Sequence, residues 1–170
     1  MTVNKIGDEF LVNTTTEDNQ LDPSVAGLLD GGFVAVWEDM SVTGGDTSGN
    51  EAVRGQAYNA DGTTRGDEFL VNTSTKGPQQ DPSVAGLSDG GFVATWHDGS
   101  LTGADTSKLA IRGQVYNADG TARGVEFLVN TTTESFQKSP SVTGLSDGGF
   151  VAIWDDRSRT GEDTSGFGAI

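Results

Sequence analysis

The sequence predicts an all-β fold built from four-stranded antiparallel units of 58 to 59 residues, each shaped like a propeller blade, with the ring incomplete in one chain. Three observations carry this. One long motif recurs nearly three times. No apolar set recurs at the three- and four-residue spacing of a helix. One strand in each unit is apolar on both faces, which calls for cover on both sides.

The repeat is read directly. Phe10, Phe69 and Phe127 open Phe-Leu-Val-Asn-Thr, at spacings of 59 and 58, and Trp37, Trp96 and Trp154 recur in step. Between them lie Pro-Ser-Val at 23–25, 82–84 and 140–142, and Asp-Gly-Gly-Phe-Val-Ala at 30–35, 89–94 and 147–152. Two copies continue with Arg-Gly-Gln-x-Tyr-Asn-Ala-Asp-Gly-Thr, at 54–63 and 112–121. This divides the chain into a leading outer strand and linker (1–22), unit 1 (23–81), unit 2 (82–139) and a truncated unit 3 (140–170).

The middle copy sets the expected elements. A first strand runs over 81–87, and Ser88-Asp89-Gly90-Gly91 turns the chain, because Asp-Gly and Gly-Gly accept the positive φ of a tight hairpin. The second strand, Phe92 to Trp96, places Phe92, Ala94 and Trp96 on one face and Val93 and Thr95 on the other. A long loop over 97–109 leads to a third strand at 110–116, then a turn at 117–120 and a fourth strand at 126–130.

Radial stacking of blades covers both faces of such a sheet. Fewer than three units do not close a ring of about 4–8 blades. The chain is therefore expected to self-associate or to join neighbouring repeats of a longer chain, two copies supplying about six blades. The edge left open near Ile170 is a natural place for a partner strand.

Composition narrows the function. The formal charge of −15 disfavours nucleic acid and anionic membrane surfaces, which need a basic face, and favours cations. There is no Cys, so thiol chemistry and disulfides are excluded. No stretch approaches the ~20 apolar residues of a membrane helix, and the residues after Met1 do not read as a signal peptide, so an export signal is expected elsewhere.

The candidate metal sites are the loops after each Trp. They offer Asp39, Ser41, Thr43 and Asp46; Asp98, Ser100, Thr102 and Asp105; and Asp156, Ser158, Thr160 and Asp163. The polar positions recur while those between them vary, a pattern that suits oxygens turned inward. Calcium takes 6–8 hard oxygen ligands on a flexible loop. The same residues also suit Asx and Ser/Thr turns bonded to their own backbone. Asp30, Asp89 and Asp147, like Asp61 and Asp119, read as hairpin turns.

Catalysis finds little support. His97, the only His, is replaced by Glu38 and Asp155 in the other copies and reads as an exposed loop residue. Adjacent acids such as Glu38 and Asp39 face opposite ways on a strand, so they do not form a glycosidase pair. The three Trp residues read as core, with stacking on sugars as the alternative. Arg54 and Arg112 are expected to pair with an acid of their own or the next blade.

The combination Gly-Gly-Phe-Val-x-x-Trp, Arg-Gly-Gln-x-Tyr-Asn-Ala-Asp-Gly and Glu-Phe-Leu-Val-Asn-Thr resembles tandem repeats of very large secreted bacterial proteins. Those proteins often also carry haemolysin-type calcium-binding (RTX) repeats. The resemblance covers almost the whole chain and defines no active site. It implies an extracellular or cell-surface setting, calcium nearby, and a structural or adhesive role. The RTX nonapeptide Gly-Gly-x-Gly-x-Asp is itself absent. A carbohydrate-binding propeller, with a glycan held between blades, is the alternative function.

Overall fold

The protein is described by a computed structural model over residues 7–105, 107–159 and 168–170. Among these residues there are ten strands and no helix, hence no helix long and apolar enough to cross a membrane. The strands are β1 (Gln20–Gly27), β2 (Phe33–Asp39), β3 (Ala52–Tyr58), β4 (Thr64–Leu70), β5 (Gln79–Gly86), β6 (Phe92–Asp98), β7 (Ala110–Tyr116), β8 (Ala122–Leu128), β9 (Gln137–Gly144) and β10 (Phe150–Asp156). They form antiparallel sheets β1-β2-β3-β4, β5-β6-β7-β8 and β10-β9, each strand paired with its neighbour in sequence. No closed barrel or propeller forms among the described residues.

The hairpins follow the expected turn chemistry. The Asp30, Asp89 and Asp147 carboxylates accept the N–H two residues on, from Gly32, Gly91 and Gly149. Asp61 and Asp119 do the same for Thr63 and Thr121. The first strand of each sheet carries a bulge at its Asp-Pro or Ser-Pro step. There Asp22, Asp81 and Ser139 take positive φ, and the following proline has no N–H to give the ladder.

Strand boundaries shift from expectation: β5 spans Gln79–Gly86 rather than 81–87, β8 ends at Leu128 rather than 130, and two further shifts have consequences. β8 starts at Ala122, not Glu126, because Ala122 pairs with Tyr116 directly across the turn. Its start carries no apolar alternation, so pattern alone misses it. β6 runs on to Asp98, so His97 belongs to a strand and is buried rather than exposed in a loop.

The sheets stack face to face. Leu28, Val34, Val36 and Val53 of the first sheet share one cluster with Val84, Phe92, Ala94, Trp96 and Tyr116 of the second. Ala85, Leu87 and Val93 of the second meet Val142 of the third, with Phe150 and Ala152 packed against them. β6 is therefore buried on both faces along its whole length, as its two apolar faces require.

The first strands β1, β5 and β9 lie side by side. The Ser24 hydroxyl accepts the Val84 N–H at 3.2 Å, and Ser83 accepts that of Val142 at 3.1 Å. Glycine permits this approach. A Cβ on Gly86 would lie 2.3 Å from the Gly27 carbonyl oxygen, and one on Gly144 2.1 Å from that of Gly86.

Candidate functional site

The loops after Trp37 and Trp96 are built alike. Asp39 ends β2, and its carboxylate accepts the Ser41 N–H at 3.1 Å and hydroxyl at 2.7 Å. The Ser41 and Thr43 hydroxyls lie 2.9 Å apart. In the second loop Asp98 accepts both from Ser100 at 2.7 Å, and Ser100 meets Thr102 at 2.7 Å. Asp46 accepts the Ser48 N–H, and Asp105 the N–H and hydroxyl of Ser107. These are the self-bonded turns that Asp, Ser and Thr form in loops.

The remaining oxygens converge on a cation the chain supplies itself. Arg54, in β3 beside Trp37, donates from Nε to Asp39 and from Nη2 to the Thr43 carbonyl, and its Nη1 lies 3.6 Å from Glu68. Arg112 repeats this with Asp98, Thr102 and Glu126, the last at 3.3 Å. Both guanidinium groups are buried. Burial pushes the Asp39 carboxyl up, but the Ser41 N–H and hydroxyl, Arg54 and Gln20 outweigh it and hold it below its usual range.

In the first two loops the guanidinium thus already holds oxygens of Asp39 and Thr43, and of Asp98 and Thr102, that a calcium ion would use. One loop oxygen has no partner: Asp46 Oδ2 is buried and unbonded, whereas its counterpart Asp105 Oδ2 accepts from Asn130 at 2.9 Å. In the third loop Asp156 accepts the Ser158 N–H at 2.7 Å, while Thr160 and Asp163 lie outside the described residues.

The acids of the Glu-Phe-Leu-Val-Asn-Thr motif join each sheet to the segment that precedes it. Glu68 takes the Thr14 N–H at 2.8 Å and hydroxyl at 2.9 Å. Glu126 takes those of Thr73 at 2.8 and 2.6 Å. The motif asparagines cap the third strand: Asn72 accepts the Val53 N–H, and Asn130 that of Ile111, both at 2.7 Å. Tyr116 donates to the Val71 carbonyl at 2.7 Å, its hydroxyl kept protonated by burial, and stacks on Phe92 beside Phe69. Trp96 is fully buried and donates to Gln79, whose amide in turn donates to Asp98. Trp96 therefore offers no face to a sugar, whereas Trp37, though 3% exposed, lies at the wall of a concavity on the first sheet.

The acids that do converge lie elsewhere. Asp22, Glu38 and Asp81 place carboxylate oxygens within 4.8 Å of one another, an arrangement able to hold a metal ion. They sit at the bulges of β1 and β5 and near the end of β2, between the first two sheets. Glu38 is buried and accepts the Asp81 N–H at 2.7 Å. Burial, with the charges of Asp22, Asp81 and Glu51, pushes its carboxyl up to about 7. One step along, His97 takes the place of Glu38: its Nδ1 is 3.3 Å from Asp81 and its Nε2 3.0 Å from Gln80, while Ser139 donates to Asp81 at 3.0 Å. Burial holds the His97 imidazole below its usual range. Sequence reading misses this cluster because its members come from two sheets, and the Glu38 position holds His97 and Asp155 in the other copies. The Asp-Pro step, repeated at Asp22 and Asp81, and the acid that follows Trp37 are the signals it leaves.

Compared with models of known protein families and with curated proteins, the chain matches none.

Proposed function

We propose that the chain is a structural repeat module of an extracellular protein, its sheets acting as blades whose first strands line a common axis. The observation that carries this reading is where the repeated polar residues go. Arg54 and Arg112, Glu68 and Glu126, Asn72 and Asn130, and the loop acids are all bonded within or between sheets. What the repeat preserves is thus the bonding that builds each sheet and ties it to the segment before it, while the first-strand serines join neighbouring sheets, and the reading gives the module no catalytic role. The high negative charge suits a secreted array, and the motif resemblance supplies the extracellular and adhesive setting. Calcium belongs in this reading at the Asp22–Glu38–Asp81 cluster, not in the first two loops.

A glycan array tests the reading against a carbohydrate-binding role. The chain, probed in calcium and again in EDTA, is expected to retain no saccharide above background. Saturable retention of one glycan class would overturn the structural reading in favour of a lectin.

A further inference from the structure

The sheet-to-sheet interface occurs twice inside the chain, and its two halves are both left uncovered at the ends. In the first sheet the side that should receive a preceding sheet is open along β1, while Ala35 and Trp37 of β2 are 7% and 3% exposed. Val25 is 68% exposed, whereas its counterparts Val84 and Val142 are 6% and 9% exposed. With Leu21, Phe33, Ala35 and Trp37 it lines a concavity of about 480 Å³. In the third sheet the opposite side is open. Leu145, Val151 and Ile153 are 43%, 47% and 51% exposed, whereas Leu28, Val34 and Val36 in the first sheet are 7%, 0% and 0%.

We infer that the open face of the third sheet docks on the open face of the first sheet of a second copy, repeating the internal interface head to tail. The inference builds on the structural reading above and names its partner. The occupant is specified by the two interfaces already formed. Leu145, Val151 and Ile153 take the roles of Leu28, Val34 and Val36 against the Val25, Phe33, Ala35 and Trp37 side. The Ser141 hydroxyl takes the role of Ser24 and Ser83, accepting the Val25 N–H of the other copy. The Gly144 carbonyl comes to lie over Gly27, as that of Gly27 lies over Gly86. Gly27 has no atom within 4 Å of the place a Cβ would take, so nothing inside a single copy requires a glycine's bare α-carbon there. The contact is heterologous, since one copy presents one patch and the next presents another.

This asymmetry supplies the test. Gly27→Val blocks only the first-sheet face, and its side chain points into open space in the single copy. Ile153→Asp blocks only the third-sheet face, at an exposed position. Sedimentation velocity over a hundredfold range of concentration is expected to show association of the native chain and monomers for each variant alone. An equimolar mixture of the two variants is expected to give 1:1 dimers and nothing larger, because each keeps the face the other lacks. A closed ring of native copies and an open series both fit the inference. A native chain that stays monomeric, or variants that associate alone as the native chain does, would overturn it. Saccharide binding on the array would sink the structural reading while leaving this association untouched, so the two failures are distinct.

Discussion

Arg54 is held by three acceptors of its own sheet: Asp39, the Thr43 carbonyl and Glu68. A buried charge of this kind is tolerated because its partners are equally buried and all are bonded. Arg54→Ala leaves Asp39 and Glu68 as buried carboxylates without their cation. It is expected to cost about 3–5 kcal/mol in urea unfolding, and Arg54→Lys to recover little, since a point charge does not reproduce the fork. The pH dependence follows from the same site. The folded Asp39 and Glu68 carboxyls both sit below their unfolded values, for Glu68 because bonds from Thr14 and Thr15 outweigh its burial. Their stabilisation is complete above the unfolded values of 3.8 and 4.5 and is lost as the pH falls through the lower folded ones. A shallower acid-side slope in Arg54→Ala, where Asp39 loses one of its donors while Glu68 keeps Thr14 and Thr15, followed by unfolding at pH 2–5, checks the assignment. The acid cluster makes a separate prediction. In calcium the melting temperature is expected to rise by several degrees over that in EDTA, and Glu38→Gln to abolish the rise. Coincident native curves would remove calcium from the account.

At the scale of the element, the Phe-Leu-Val-Asn-Thr segment works as a joint. Phe69 pairs through its backbone with Gly55 in its own sheet, while its ring reaches Phe92 and Tyr116 of the next. A Cβ on Gly55 would lie 2.8 Å from that ring, as one on Gly113 would from Phe127, which is why the third strand reads Arg-Gly-Gln in both copies. Much of this level was legible beforehand. The Asp-Gly-Gly turns, the two-faced strand after them and the buried Trp follow from spacing and from φ preference. The start of β8 was not, because Ala122-Arg123-Gly124 has no alternation and Gly124 takes positive φ. Nor was the burial of His97, whose neighbours Gln80, Asp81 and Ser139 come from other strands. The arginine pairing was anticipated in kind. Its consequence, that the guanidinium fills the expected metal loop, needed three-dimensional placement.

At the scale of the whole molecule, stability is expected to come from stacking. Only the second sheet is covered on both sides, and it holds the largest buried side chains, Trp96 and Phe92 among them. Each contributes roughly 1.5–3 kcal/mol by leaving water, so a sheet removed from the stack loses several such terms. Neighbouring sheets are fastened along their first strands, and thermal unfolding of Gly86→Ala beside Gly27→Ala, at low micromolar concentration, probes that fastening. At Gly86 the added methyl meets the Gly27 carbonyl oxygen at 2.3 Å, and at Gly27 it meets nothing. Overpacking of this kind costs about 1–3 kcal/mol, so Gly86→Ala is expected to lower the melting temperature by roughly 3–10 °C. Gly27→Ala is expected to leave it unchanged or slightly raised, through reduced freedom of the unfolded chain. Equal effects of the two substitutions would contradict the stacked arrangement.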